Sequence, residues 1–398
     1  MTAASDGSGA GAEMAGMRRR KMMMALGATL LSPRALAQPA PSWTERPTGR
    51  SAFAPVVPGY PMRFPHDEGS HPDFGLEWWY VTGWLNPDTP RPLGFQITFF
   101  RARPDLKQQN PSAFTPRQIL IAHAALSDPA NGRLIHAERA ARAGFGLAAA
   151  EEGRTRVWID EWSIAERDGA YHAAIPWNEA RFELVFDPRQ PPLLQGDNGF
   201  SRKGPAPLSA SYYYSLPHLA VQGMLHRVGR AQNVSGTAWL DHEWSSQYMD
   251  ERAVGWDWTG INFEDGGALM LFRMRDRDEA QFWAGGTLRR PDGTTRVFLP
   301  SEIRFTPGRV WRSPRTGTRY PVSWRLDAGD LRFAVEPLMD DQEHDTRAST
   351  GTIYWEGAVR AFRGGAEIGR GYLELTGYWR PVNLSRHATP QSRYRLPA

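Results

Sequence analysis

Residues 239–246 read WLDHEWSS and carry residue types suited to moving protons beside an apolar surface. On a strand, successive side chains alternate between faces. Leu240, His242 and Trp244 therefore share one face, and Asp241 and Glu243 the other. An imidazole shuttles protons near neutral pH, and an indole face stabilises a cation. The plainer reading of His242 is a buried ring paired with a carboxylate, the usual state of a buried polar group. A second stretch, LEWWYVTGWL at 76–85, places Glu77, Trp79 and Val81 on one face and Leu76, Trp78, Tyr80 and Trp84 on the other. One aromatic row can line a pocket while the other packs between domains. If Glu77 points inward it needs a partner, and Arg101 or Arg103 is the candidate. Such a pair is a structural clasp, unless burial raises the carboxyl and turns it into an acid.

Three further stretches have the right residue types. Trp256 and Trp258 flank Asp257, which alternation sends to the opposite face. Tyr212 and Tyr214 share a face, with Tyr213 opposed, as a pocket wall or a seam between domains would need. FPHDEGSHPDF offers His66, Asp67, Glu68, His71 and Asp73, but in an order that fits no standard metal-site spacing, so a loop capping a barrel end is expected. No G-x-S-x-G elbow is present, and GRGYLELTG lies in strand context without the helix a phosphate loop needs.

The elements that must position these groups read as strands. LGFQITFFRAR, RVWIDEWSI, ARFELVFD, GALMLFRMRD and GTIYWEGAVRAF are short runs bounded by Gly, Pro, Asn and Asp. The one helical expectation is a short helix near 245–252. Trp79-Tyr-Val-Thr82-Gly83 is echoed by Trp256-Asp-Trp-Thr259-Gly260, and the returning strands by Phe100-Arg101-Ala-Arg103 and Phe272-Arg273-Met-Arg275. Two echoes in one order point to two copies of a β unit. Evenly spaced strands mean sandwich or barrel. The Pro/Gly-rich stretch at 187–209 places the split near 200, giving domains at 66–200 and 201–385.

Composition narrows the function. With 41% hydrophobic residues a sizeable core is available, and 16 Trp make the aromatic content the outlying feature. A net charge of +4, with arginines scattered among acids and only Lys21, Lys107 and Lys203 as lysines, gives no nucleic-acid footprint. The absence of cysteine excludes disulfides and thiol chemistry. Arg18–Lys21, the apolar run Met22–Leu31 and Ala35-Leu36-Ala37 read as an export signal over 1–37, with Met17 a plausible start and the paired arginines fitting twin-arginine export. A Pro-rich leader follows at 38–65. A periplasmic or secreted location is expected.

FPHDEGSHPDFGLEWWYVTGWL, SYYYSLPHLAVQGML, GTAWLDHEWSSQ, GWDWTGINF and YWEGAVRAF with GRGYLELTGYW, in that order, resemble the AttH / carotenoid 1,2-hydratase (hydroxyneurosporene synthase) family. The resemblance spans about residues 60–380. It implies an all-β chain of two tandem lipocalin-like (calycin-type) antiparallel β-barrels. It also implies ligands that are isoprenoids or lipids, a link to ABC-transporter components, and, in the hydratase members, addition of water to a terminal isoprenoid C=C. Those members match this chain at His242 and Trp244. They also carry an acid on the hairpin where this chain reads Ala268–Arg273 without one, so Glu77 would be the substitute. The candidates are therefore His242, Trp244, Glu77 and Asp257 for catalysis, and Trp78, Trp79, Tyr80, Tyr212, Tyr214, Trp256 and Trp258 for ligand contact. No metal and no cofactor is expected. Two readings stay open: an exported binder of a hydrophobic isoprenoid or lipid, and an enzyme on such a molecule, either a hydratase or an isomerase/cyclase. They differ in whether an ionisable group faces the pocket beside His242. A third class, a structural protein with barrels filled by side chains, predicts no ligand cavity.

Overall fold

Alternating apolar residues and tight turns build the fold. In Ala180–Asp187 the residues Phe182, Leu184 and Phe186 are fully buried, while every second residue is exposed or half-buried. Asp168-Gly169 (φ 53° and 83°) and Gly364-Gly365 (φ 58° and 87°) turn two hairpins in two residues each, using the left-handed conformations such turns require.

The computed structural model describes residues 53–104, 112, 115–227 and 229–382; the expected export signal and most of the Pro-rich leader lie outside the described residues. Apart from 3-10 turns at His66–Glu68 and Pro300–Glu302, the regular elements among the described residues are strands. The helix expected near 245–252 is absent: the strand runs to Gln247 and a turn follows.

The chain forms two antiparallel barrel-like sheets. The first has thirteen strands and runs from Ile135–Arg142 through Ile119–Ser127, Leu93–Ala102, Leu76–Leu85, Arg230–Gln247 and Ala210–Arg227 to Ala180–Asp187, then on to Ala148–Ala150. The second has ten, centred on Ala268–Arg275, Gly255–Phe263, Ala366–Thr376 and Thr352–Arg363. The chain changes sheet between Gln247 and Gly255, not near 200. The Pro/Gly-rich stretch is a loop within the first barrel, pinned by Leu193–Leu194 and Phe200–Arg202 to Ala210–Arg227. Two long strands, Ala210–Arg227 and Arg230–Gln247, then bridge Ala180–Asp187 to Leu76–Leu85. The echoed hairpins sit at equivalent places, and each pairs an inward acid with an arginine on its returning strand: Glu77 opposite Arg101, Asp257 opposite Arg273.

Three apolar clusters result. One fills the first barrel, with Trp79, Tyr212, Tyr214 and Trp244 at one end. One fills the second, around Trp324, Trp355 and Phe333. The third is a seam where the outer face of one sheet meets the other; it holds Tyr80, Trp84, Tyr213, Trp239, Trp258 and Tyr372, with Trp78, Tyr248 and Trp256 half-buried at its edge. The two aromatic rows of Leu76–Leu85 thus serve barrel and seam respectively.

Candidate functional site

Cross-strand register brings the sequence candidates of the first barrel together. Trp79 lies opposite His242, and Glu77 opposite both Trp244 and Arg101. The Glu77 carboxylate is completely buried and collects donors. Arg101 Nε donates to Oε2 at 2.7 Å, and Ser70 Oγ to the same oxygen at 3.2 Å. His71 Nδ1 and His242 Nε2 lie 2.7 and 2.9 Å from Oε1. Beyond them, His71 Nε2 is 3.4 Å from Asp67 Oδ1, and His242 Nδ1 is 3.2 Å from the Tyr214 hydroxyl. His71 stacks on Trp244 with centroids 3.7 Å apart and planes at 6°, and His242 on Trp79 at 4.7 Å.

The electrostatics follow from this geometry. Burial alone would raise Glu77, but the Arg101 charge, helped by His242 and His71, holds it well below the usual carboxylate range. Glu77 is thus a fixed anion in a clasp, and the raised acid considered from sequence is not what this environment makes. Burial would lower His71, yet hydrogen bonds to Asp67 and Glu77 raise it. Burial prevails at His242 and lowers it despite Glu77.

Asp257 does not join this group. It points into the second barrel, where Arg273 Nε donates to it at 2.5 Å and Arg275 Nε lies at 3.3 Å. Trp78, Tyr80, Trp256 and Trp258 face the seam, away from His242.

The seam holds acids that sequence reasoning left unassigned. Asp241 accepts from Tyr213 (2.7 Å), Trp239 Nε1 (2.6 Å) and Ser215 (2.5 Å), and burial still pushes it up to about 7. Glu356 and Glu374 lie directly opposite each other across two strands. Burial and the neighbouring Glu374 charge push Glu356 well above the ordinary value, and burial pushes Glu374 up to about 7. Glu243 is neutralised by Lys203, whose Nζ is 2.8 Å away and sits over the rings of Phe272, Tyr213 and Tyr248. The rings around them interlock edge to face: Tyr80 on Trp258, Trp78 on Tyr248, Tyr248 on Trp256. The available signal was a single acid in each apolar strand, YWEGAV and YLELTG. It had meaning only once the two strands were paired. A surface depression lined by Val310, Arg312, Gly317 and Arg319 contains none of these groups.

Comparison with known proteins places the chain. The AttH-like family model matches residues 55–378. A candidate AttH from Nitrosomonas europaea is 52% identical, with a TM-score of 0.77, over 82% of this chain and 100% of that one. Kievitone hydratase from Nectria haematococca shares the fold at 13% identity and a TM-score of 0.61, over 83% and 99% of the two chains. CghA with Sch210972 shares it at 12% identity and a TM-score of 0.52, over 82% and 96%. A search of curated proteins finds no match.

Proposed function

Since the chain belongs to the AttH-like family, we propose that it binds a hydrophobic unsaturated molecule, an isoprenoid or lipid, in the seam between its barrels and transfers a proton to it, as a hydratase or isomerase does. The observation that carries this reading is the carboxyl pair Glu356–Glu374, whose residues lie opposite each other, are both pushed above the ordinary carboxyl range by burial, and face a ring-lined seam with Trp78, Tyr248 and Trp256 half-buried at its edge. The Glu374 charge is one of the causes that raise Glu356, so the pair favours one carboxyl that keeps a proton to give.

The chemistry follows from the groups present. The protonated carboxyl delivers its proton to one carbon of a C=C, and the cation left on the other carbon is sheltered by the indole faces of Trp256 and Trp258. In hydration, water adds to that cation and gives its extra proton to the carboxylate just formed, which resets the acid. In isomerisation the carboxylate removes a proton from a neighbouring carbon instead. The buried rings exclude stray water from the cation. The basic and apolar run at 18–31 supports export of the chain, and ligand hand-over to an ABC-transporter component belongs to the same reading.

The test is incubation of the purified protein with an acyclic carotenoid and with an unsaturated fatty acid, followed by mass spectrometry for gain of one water or for an isomer. Turnover should fall about 100-fold or more in Glu356→Gln and Glu374→Gln, while ligand quenching of tryptophan fluorescence persists. Stoichiometric binding without product would leave a carrier and remove the proton-transfer step.

A further inference from the structure

We propose that His71, Glu77 and His242 form a binding site for one borderline divalent metal ion, of the zinc class, inside the first barrel. The three come from a loop and two different strands, which is why spacing along the chain gave no metal motif. One ligand atom from each lies within 4.8 Å of the other two. Glu77 Oε1 is the point on which both imidazoles converge.

Four features go beyond what a clasp requires. First, each ligand has an outer partner that fixes it. Asp67 and Tyr214 hold the far nitrogens of His71 and His242, while Arg101 and Ser70 hold the far oxygen of Glu77. Partners of this kind orient metal-ligating rings and tune their basicity. Second, both rings are clamped face-on by indoles, Trp244 and Trp79, so their lone pairs have fixed directions. Third, the second barrel contains an internal control. Asp257 with Arg273 and Arg275 makes the equivalent acid–arginine clasp with no imidazole contact among the described residues. Holding the hairpin therefore does not call for two histidines. Fourth, two buried donors in this group, Arg101 Nη1 and Trp244 Nε1, have no hydrogen-bond partner among the described residues. An oxygen completing a coordination sphere is the kind of acceptor they lack.

Charge points the same way. With neutral imidazoles, Asp67 and Glu77 outweigh Arg101 by one negative charge. His71 stands between the two carboxylates. A cation at its Nδ1 would offset that charge inside the barrel, while the Asp67 carboxylate also meets the exposed His66 ring, Nδ1 at 2.8 Å. An imidazole ligates as the neutral ring, so uptake of M²⁺ tightens as pH rises. Two nitrogens and one carboxylate oxygen suit zinc, cobalt(II) or iron(II) rather than magnesium or calcium. Metal–ligand bonds of about 2.0–2.2 Å put ligand atoms about 3.0–3.5 Å apart, so binding opens the two Glu77 contacts from 2.7 and 2.9 Å and holds the two imidazole nitrogens, which lie within 4.8 Å, on the same ion.

The test uses the purified full chain, stripped with a chelator and titrated with Zn²⁺ or Co²⁺. The expected result is about one equivalent bound, visible d–d absorption from Co²⁺ in a low-symmetry site, and a raised melting temperature reversed by chelator. Binding should be about tenfold or more tighter at pH 8 than at pH 6. His71→Gln and His242→Gln should each abolish the Co²⁺ band while circular dichroism stays that of the wild type. Should those variants misfold, Tyr214→Phe, which removes only an outer partner, should weaken binding about 10-fold. A wild-type chain that takes up no stoichiometric Co²⁺ or Zn²⁺, or binding unchanged in all three variants, overturns the proposal. No substrate enters this titration, so its outcome is independent of the seam chemistry.

Discussion

Glu77 and Asp241 stand on opposite faces of two paired strands, and their surroundings push their carboxyls in opposite directions. Glu77 meets an arginine that is as buried as itself; the hydrogen bonds to Asp241 come from neutral donors, Tyr213, Trp239 and Ser215. The difference has a sign in stability. Asp67 and Glu77 are depressed, so their contribution is complete above the unfolded value of about 4 and is lost as pH falls through their folded values. Asp241 and Glu374 are raised to about 7, so theirs is complete below about 4 and is lost as pH rises through about 7. His71 is raised too and adds to the loss on the alkaline side. The urea midpoint should therefore fall between pH 5 and pH 8, and Asp241→Asn should flatten part of that fall. A wild-type midpoint that climbs steadily to pH 8 would show that the seam acids are not held protonated.

The strands carry these residues with a phase that alternation predicts wherever the ladder is unbroken. It put Glu77 and Trp79 on one face and Trp78 and Tyr80 on the other, and it turned Asp257 away from Trp256 and Trp258. Ala210–Arg227 shifts register against Arg230–Gln247 twice, between Ala210 and Tyr212 and between Leu216 and Leu219, and Tyr212–Tyr214 lie in the unbroken run between the two. At the second shift His218 takes a left-handed φ of 53°, and its ring reaches across to the Gly267 carbonyl at 2.8 Å. A bulge of this kind re-aims one side chain and leaves no mark in the hydrophobic pattern. The seam was legible only as an aromatic row; the acids it brings together were not, because their meeting depends on which strands pair, a long-range choice that no local stretch encodes. Its tightness can be tested at Gly94. A Cβ there would lie 2.6 Å from the Ala358 Cβ, 3.0 Å from the Tyr372 hydroxyl and 3.2 Å from the Ser127 Cβ. Gly94→Val should wedge the two sheets apart and cost about 1–3 kcal/mol in chemical denaturation. A variant as stable as the wild type would mean that the sheets meet less closely than this.

For the whole molecule, the question is where one barrel ends. The loop at 205–208 and the turn at Glu251-Arg252 are both exposed, so accessibility alone ranks them as equal places to cut the chain. Sheet membership separates them. A cut at 251 leaves each fragment with every strand of its own sheet, and the seam's buried rings give the halves a reason to reassociate. A cut at 206 takes Ala210–Arg227 and Arg230–Gln247 out of the first fragment, so Leu76–Leu85 and Ala180–Asp187 lose the strands that join them. Trp79 then loses the His242 face it stacks on, and Glu77 loses one of its two imidazoles. Co-expressed fragments divided at 251 should elute together from size exclusion with near-ultraviolet circular dichroism close to that of the intact chain. Those divided at 206 should fail to associate or should lack the tryptophan signal. Equal recovery from both would mean that the two long strands dock into the first barrel from the other fragment, strand pairing replacing chain continuity. The acid–imidazole group at its end would then owe its geometry to the pairing of Leu76–Leu85 with Arg230–Gln247, not to an unbroken chain at 206.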